Sequence, residues 1–158
     1  MQNEILKLLY RNAQYTAEDL AEMLARPIDE VKAEIRDLEK RGVICGYKAV
    51  VDWDKIDGYV SAIVQLKVVP KANFGFEDIA HKIATYEEVE SIYLTSGDYD
   101  LSLTIKGKTL QDIARFVAVN LATIDNVTAT TTNFVMSRYK EMDVRLVSEK
   151  DDRSEFWI

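Results

Sequence analysis

The residues densest in chemical possibility are Thr95-Ser96-Gly97-Asp98-Tyr99-Asp100-Leu101, which bring two carboxylates, a phenol, two hydroxyls and an uncovered backbone close together. A carboxylate can take an ammonium group, and backbone N–H groups or hydroxyls can take a carboxylate. The stretch therefore suits a small zwitterionic molecule. The plainer reading is a solvated turn, because Gly and Asp are ordinary turn residues. Alternating apolar runs flank it, Val89–Leu94 before and Leu101–Ile105 after. Two such runs joined through Gly-Asp predict a tight hairpin, with Gly97 accepting the positive φ of a II′ turn.

A second set of residues is cationic. Lys32, Arg36 and Lys40, with Arg41 following, fall on the outer side of a helical pattern over Ile28–Lys40. Such a stripe can meet phosphates if the helix enters a DNA major groove. The same pattern also carries Asp29, Glu30, Glu34, Asp37 and Glu39, a balance that is poor for phosphate contact. The alternative is a small packed helical unit whose third helix is merely solvated.

Other chemistries are constrained by scarcity. The 158 residues include one histidine, His81, and one cysteine, Cys45. A His-rich metal site is excluded, and any Ser-His-Asp triad would need His81, which falls on the flank of a helix and reads as a surface residue. No catalytic residue, metal or cofactor is expected. One cysteine allows no internal disulfide, and a reducing cytoplasm is the simplest location. The net charge of −7 argues against a generally basic nucleic-acid-coating protein. It leaves room for a local DNA-reading surface, because charges are screened beyond about 8 Å at physiological salt. No apolar run approaches the roughly 20 residues that span a bilayer. The opening Met1-Gln2-Asn3-Glu4 lacks the order of a signal peptide. No membrane partner is expected.

The elements that must position these residues follow from periodicity. Residues 4–11 have helical apolar spacing. Thr16 with Asp19 reads as a capping box opening a second helix, whose buried stripe is Leu20, Met23 and Leu24. Arg26-Pro27 ends it, because the residue before proline is pushed out of helical geometry. The third helix points Val31, Ile35 and Leu38 inward and closes at Gly42. Three short helices with a tight second turn form a helix-turn-helix. Val43–Asp52 reads as a strand leaving it, and Asp52–Gly58 as a polar linker.

From residue 60 the pattern becomes strand, helix, strand, strand, helix, strand. Val60, Ala62, Val64, Leu66 and Val68 alternate with Ser61, Ile63, Gln65 and Lys67. Phe76–Tyr86 is helical through Phe76, Ile79, Ala80 and Ile83. Thr109 caps a helix whose inward face is Leu110, Ile113, Ala114, Val117 and Leu121, and Val127–Tyr139 is the last long strand. This is the ferredoxin-like βαββαβ order, with both helices on one face of an antiparallel sheet. The other face offers Ser61, Ile63, Gln65, Tyr93, Thr95 and Thr104, few of them charged, and suits a subunit interface. Residues 144–147 read as a short strand, and Phe156-Trp157-Ile158 as a tail needing a surface, such as a partner subunit. The expected fold class is α+β: an N-terminal winged-type helix-turn-helix plus a C-terminal ferredoxin-like domain. The boundaries are 1–50, a linker at 51–58, the sensing and dimerisation domain at 59–140, and a tail at 141–158.

In this order the pieces resemble the Lrp/AsnC family of prokaryotic transcription regulators over nearly the whole chain. The resemblance is carried by Ile5-Leu6-x-Leu8-Leu9, by Leu20-Ala21, and by Leu38-Glu39-x-x-Gly42-Val43-Ile44-x-Gly46-Tyr47. It continues through Gly97-Asp98-Tyr99-Asp100 and Val127-x-x-Thr130-x-Thr132. It implies double-stranded DNA as a partner and a homodimer formed through the sheet, assembling further into tetramers or octamers. It also implies an amino-acid effector bound between dimers at Gly97, Asp98, Tyr99, Asp100, Thr130 and Thr132. There Asp100 would take an α-ammonium, Gly97 would let the backbone approach, and the threonines would take polar groups. The implied DNA contacts are Lys32 and Arg36, with Lys40, Arg41 and Lys48. The family's third helix commonly opens Ser-Pro-Ser and carries two adjacent basic residues, where this chain has Pro27-Ile28-Asp29 and Ala33-Glu34. Two competing functions share the architecture: a sirohaem-decarboxylase-like enzyme, and an effector-binding assembly module that has lost DNA binding.

Overall fold

The computed structural model describes residues 3–70 and 75–146. The chain divides into two compact units, Met1–Val51 and Asp52–Ile158.

The first unit is three helices, α1 (Glu4–Arg11), α2 (Ala17–Leu24) and α3 (Ile28–Lys40). The starts of α1 and α2 are set by side chains that satisfy otherwise orphaned backbone donors, whereas α3 follows Pro27 with no side-chain cap. Asn3 accepts from Leu6 N at 3.1 Å. At α2 the capping box is complete: Thr16 Oγ1 accepts from Asp19 N at 3.1 Å, and Asp19 Oδ2 accepts from Thr16 N at 2.8 Å. Those bonds from Thr16 hold the Asp19 carboxyl below its ordinary range. Helix α2 stops with Ala25 in the left-handed region at φ 50°. Helix α3 ends in a complete Schellman motif, with Gly42 at φ +69° and Val43 N donating to Leu38 O at 2.9 Å. Ile5, Leu9, Leu20, Val31 and Leu38 form the core. Met23, expected inside, is 53% exposed, because Leu20 and Leu24 fill the inward positions of this two-turn helix. The strand expected over Val43–Asp52 is not paired into any ladder; the described part of this unit offers no second strand to hydrogen-bond it.

The second unit is a four-stranded antiparallel sheet in the order β2-β3-β1-β4. Its strands are β1 (Val60–Val68), β2 (Val89–Leu94), β3 (Leu101–Gly107) and β4 (Val127–Phe134). The helices α4 (Phe76–Ala84) and α5 (Leu110–Phe116) fall between them as the βαββαβ order requires. The central strand β1 sets Val64 opposite Leu103 on one side and Thr132 on the other. Ala62, Val64 and Leu66 are fully buried with Leu101, Ile105, Ile79 and Ile83 in one core. Gly107 makes the α5 crossing possible, since a Cβ there would lie 2.9 Å from Ile113 Cγ1. Helix α5 continues into a π-helical turn, Val117–Leu121, with Ala122 N donating to Val117 O at 2.8 Å. In the regular turns before it the buried face is centred on Ile113 and Phe116. Phe116 is buried, and Leu110 and Ala114, expected inside, are exposed.

Two further expectations change. Strand β4 ends at Phe134 rather than Tyr139, because Val135 already reaches Ser61 O at 2.9 Å and β1 begins at Val60. Beyond it lies a small hairpin, β5 (Lys140–Glu141) with β6 (Val144–Arg145), turned by Met142 and Asp143 at positive φ. The expectation for Phe156-Trp157-Ile158 lies outside the described residues. The connection between β2 and β3 is not a two-residue turn. Leu94 and Leu101 are the last ladder pair, and a six-residue loop, 95–100, is closed by Thr95 N to Asp100 O at 2.8 Å. Among the described residues no helix is long and apolar enough to cross a membrane.

Candidate functional site

The 95–100 loop stands at the end of the sheet where β1 finishes, and it is pinned there from several directions. Within the loop, Thr95 Oγ1 donates to Tyr99 O at 3.1 Å. Gly97 has φ +151°, a backbone region that side chains other than glycine rarely adopt, with open space where a Cβ would stand. Lys67 Nζ of β1 donates to Asp98 O at 2.7 Å. Asp100 N donates to Leu66 O at 3.0 Å, and Asp100 Oδ2 accepts from Val68 N at 2.7 Å. The Tyr99 hydroxyl reaches Thr131 Oγ1 on β4 at 2.6 Å.

The six residues expected to hold an effector are therefore distributed unequally. Gly97, Asp98, Tyr99 and Asp100 share one loop. Thr130 and Thr132 stand opposite Leu66 and Val64 and so share the helix-covered face with them. The threonine brought to the loop is Thr131, which pairs with Gln65 on the other face. Strict alternation along β4 carries this information, since Thr131 is the residue out of phase with the buried set. Lys67 and the Val68 amide were also outside the expected set. The loop offers an exposed carboxylate on Asp98, hydroxyls on Thr95 and Ser96, and backbone donors around Gly97.

At the opposite end of the same sheet face lies a cluster that the linker reading of Asp52–Gly58 does not anticipate. Trp53 and Tyr59 stack with ring centroids 4.4 Å apart and planes 12° from parallel. The Arg138 guanidinium sits 5.1 Å from the centre of the Tyr59 ring, pairs with Asp54 Oδ1 at 2.8 Å and donates to Ser61 Oγ. Burial, reinforced by a hydrogen bond to Glu90 Oε2 at 2.9 Å, holds the Tyr59 phenol well above its ordinary range.

In the first unit, the cations of α3 are not equivalent. Lys32 Nζ is bound to Glu18 Oε1 at 2.9 Å, and Arg41 Nε to Asp37 Oδ2 at 2.8 Å. Arg36 and Lys40 are exposed and form no ion pair among the described residues. With Asp29 and Ala33 they make one outward stripe, at the spacing that places side chains on a single helix face. Of the acidic residues of α3, Glu34 is the one drawn into the unit, while Asp29, Glu30, Asp37 and Glu39 are exposed. Glu34 accepts from Arg26 at 2.7 Å and from Asn3 Nδ2 at 2.6 Å, which holds its carboxyl below the usual range, Arg26 acting most. Glu39 accepts from the Tyr47 hydroxyl at 2.9 Å. Arg26 offsets the Glu34 charge and Arg41 that of Asp37, while Asp29, on the outward stripe, forms no ion pair among the described residues. His81 is exposed in the last turn of α4.

Comparison with known proteins places this geometry in context. The family profile of the Lrp/AsnC ligand binding domain matches residues 61–144. The chain is 44% identical over 153 residues to an uncharacterized HTH-type transcriptional regulator, YugG, of Bacillus subtilis strain 168, covering 96% of this chain and 92% of that protein. It is 28% identical over 138 residues to the leucine-responsive regulatory protein of Haemophilus influenzae, covering 87% and 83%. Among solved structures, the leucine response regulatory protein of Mycobacterium tuberculosis superposes with TM-score 0.75 at 21% identity, covering 87% of this chain and 92% of that one. A transcriptional regulator of Neisseria meningitidis, solved as a complex with L-Met, superposes with TM-score 0.72 at 21% identity, covering 89% and 94%.

Proposed function

The chain belongs to the Lrp/AsnC family, and from that premise we propose that it is a DNA-binding transcription regulator whose affinity for DNA responds to an amino acid. Helix α3 lies in the major groove, with Arg36 and Lys40 as the primary phosphate contacts and Lys32 and Arg41 as secondary ones. The observation that carries this reading is the outward stripe of α3: its two cations are uncommitted, while most of the acidic neighbours are paired within the unit. One such helix binds weakly. Two or more in one oligomer gain by effective concentration, and the uncovered sheet face, with Ile63 44% and Tyr93 62% exposed, suits the homodimer contact.

The 95–100 loop is the effector site in this proposal. A neighbouring fold solved with L-Met supports an amino acid as the class of ligand. For the ligand to regulate, it must bind one assembly or conformation more tightly than another. The relatives are named as transcriptional regulators, and the proposed action is binding alone, in the cytoplasm, with no cofactor.

Two measurements on the full chain test the reading. Fluorescence anisotropy with the DNA upstream of the protein's own gene should show salt-sensitive, sequence-preferring binding. A thermal-shift screen of the twenty amino acids should show a specific hit, since a ligand at a hundred times its dissociation constant adds about 2.7 kcal/mol. Absence of DNA binding, with an amino-acid hit retained, would identify an assembly module instead.

A further inference from the structure

We infer that Asp100 is a positioning residue for the effector loop, holding it to the end of β1 through the Val68 amide, and is not the group that takes the effector's ammonium. The inference rests on the proposal that the 95–100 loop is the effector site, and it assigns that site's acidic residues different work.

Strands β1 and β3 pair in one continuous antiparallel ladder. The register runs without a break from Val60 opposite Gly107 to Leu66 opposite Leu101. Continued, it would set Val68 opposite Tyr99. The chain does not continue it. At Asp100 the backbone leaves the sheet to form the loop, and the Tyr99 carbonyl, the natural acceptor for Val68, instead accepts from Thr95 Oγ1 at 3.1 Å. Val68 is 4% exposed, and a buried N–H without an acceptor costs free energy comparable to a lost hydrogen bond. The Asp100 carboxylate supplies the acceptor at 2.7 Å, the short distance of a charge-assisted bond. It does for a strand end what an N-cap side chain does for a helix.

Asp100 is also tied through its backbone on both sides. Its N–H donates to Leu66 O at 3.0 Å and its carbonyl accepts from Thr95 N at 2.8 Å, the bond that closes the loop. One residue thus joins β1 and both ends of the loop. The other side of β1 is irregular at the same level: the pairing with β4 shifts register between Lys67 and Val68, so it lends the end of β1 less support. The half-buried Asp100 carboxylate is in this way drawn down toward the sheet. Asp98, whose contribution to the sheet is its backbone carbonyl to Lys67 Nζ, keeps an exposed side chain.

A positioning role and an ammonium-binding role diverge in one substitution. Asn retains a carbonyl oxygen able to accept from Val68 N but has no charge for an ammonium. The test measures amide hydrogen exchange on full-length wild type, Asp100→Asn and Asp100→Ala without ligand. Affinity for the amino acid giving the largest wild-type thermal shift among the twenty is measured alongside. Exchange of the Val68 amide should accelerate about tenfold or more in Asp100→Ala and stay within about threefold of wild type in Asp100→Asn. Affinity should follow the same order, with Asn rescuing most of what Ala loses. If Asp100→Ala does not fold, Asp100→Asn alone decides. Loss of binding by Asn with Val68 protection intact would overturn the inference in favour of a direct charge contact. Unchanged Val68 exchange in Asp100→Ala would overturn it outright. If wild type binds no amino acid while Val68 exchange responds as expected, the positioning stands and the effector reading fails.

Discussion

Replacing Arg36 by alanine should reduce DNA affinity more than removing either paired cation of the α3 region, Lys32 or Arg41. Arg36 is exposed and forms no ion pair among the described residues, so its charge is available to a phosphate without breaking another contact. In a dimer the substitution removes two such contacts. Each contributes a slope of about 0.9 to the dependence of log affinity on log salt, so the slope should flatten by about 1.8. At 0.15 M salt that slope corresponds to a loss of about 30-fold, or about 2 kcal/mol. Lys32→Ala should cost less than about threefold, because Lys32 is already held by Glu18 at 2.9 Å and its lysine neutralises that carboxylate. Glu18→Gln should act in the opposite direction, freeing Lys32 and tightening binding. The assay is fluorescence anisotropy from 50 to 300 mM salt, with size-exclusion chromatography showing an unchanged assembly. A salt slope unaffected by Arg36→Ala, or a larger loss from Lys32→Ala than from Arg36→Ala, would refute the placement of the DNA-reading stripe.

Two predictions concern stability. Arg138→Met should destabilise the second unit by about 2 kcal/mol, since it removes a charge-assisted bond to Asp54, a bond to Ser61 and a cation–π contact on Tyr59. Thermal unfolding should fall by about 5–8 °C, and Asp54→Asn should recover part of the coupling in a double-mutant cycle; strictly additive effects would contradict a shared cluster. Glu34 gives the first unit a pH dependence of known sign. Its carboxyl is held below the ordinary value by Arg26 and Asn3, so its stabilising contribution is complete above the unfolded-state value of about 4.3 and lost as pH falls through the depressed folded value. Urea midpoints should therefore drop between about pH 4.5 and about pH 3 less steeply in Glu34→Gln than in wild type, and parallel curves over that window would exclude Glu34 as a source of the slope.

The fold was legible where side-chain period and capping chemistry agree. The Thr16–Asp19 box, the glycine after α3 and the alternation along β1 each follow from one local rule, and the structure keeps them. What was not legible depends on partners distant in sequence. The end of β4 is set by where β1 begins, and the π-helical turn after α5 has no compositional signature. The loop was visible as chemistry but not as geometry. Gly97-Asp98 read as a two-residue turn because the Val68 amide that draws Asp100 down lies 32 residues earlier. The surroundings of Glu34 were hidden in the same way. Whether Glu34 faces a phosphate or an arginine depends on Arg26 across the α2–α3 turn, and no pattern within the helix reveals it.

The two polar clusters of the second unit stand at the two ends of one strand. The loop is fastened to Leu66, Lys67 and Val68, and the Arg138 cluster to Ser61 and Tyr59, the residues that follow the 52–58 segment. Between them β1 is central in the sheet, paired on both sides and buried on its inner face, with a span of about 26 Å at the usual rise per residue. A strand so enclosed does not stretch, because packed interiors have low compressibility. A ligand that moved only the loop would therefore leave the other end of β1 in place. In the proposed regulator, coupling of an amino acid to DNA affinity would then run through displacement of the strand as a whole or through the assembly of copies on the uncovered face. The Arg138 cluster separates the two routes. If the strand carries the signal, Arg138→Met should uncouple effector from DNA while each still binds. If assembly carries it, the coupling should survive that substitution and vanish with dilution to monomer.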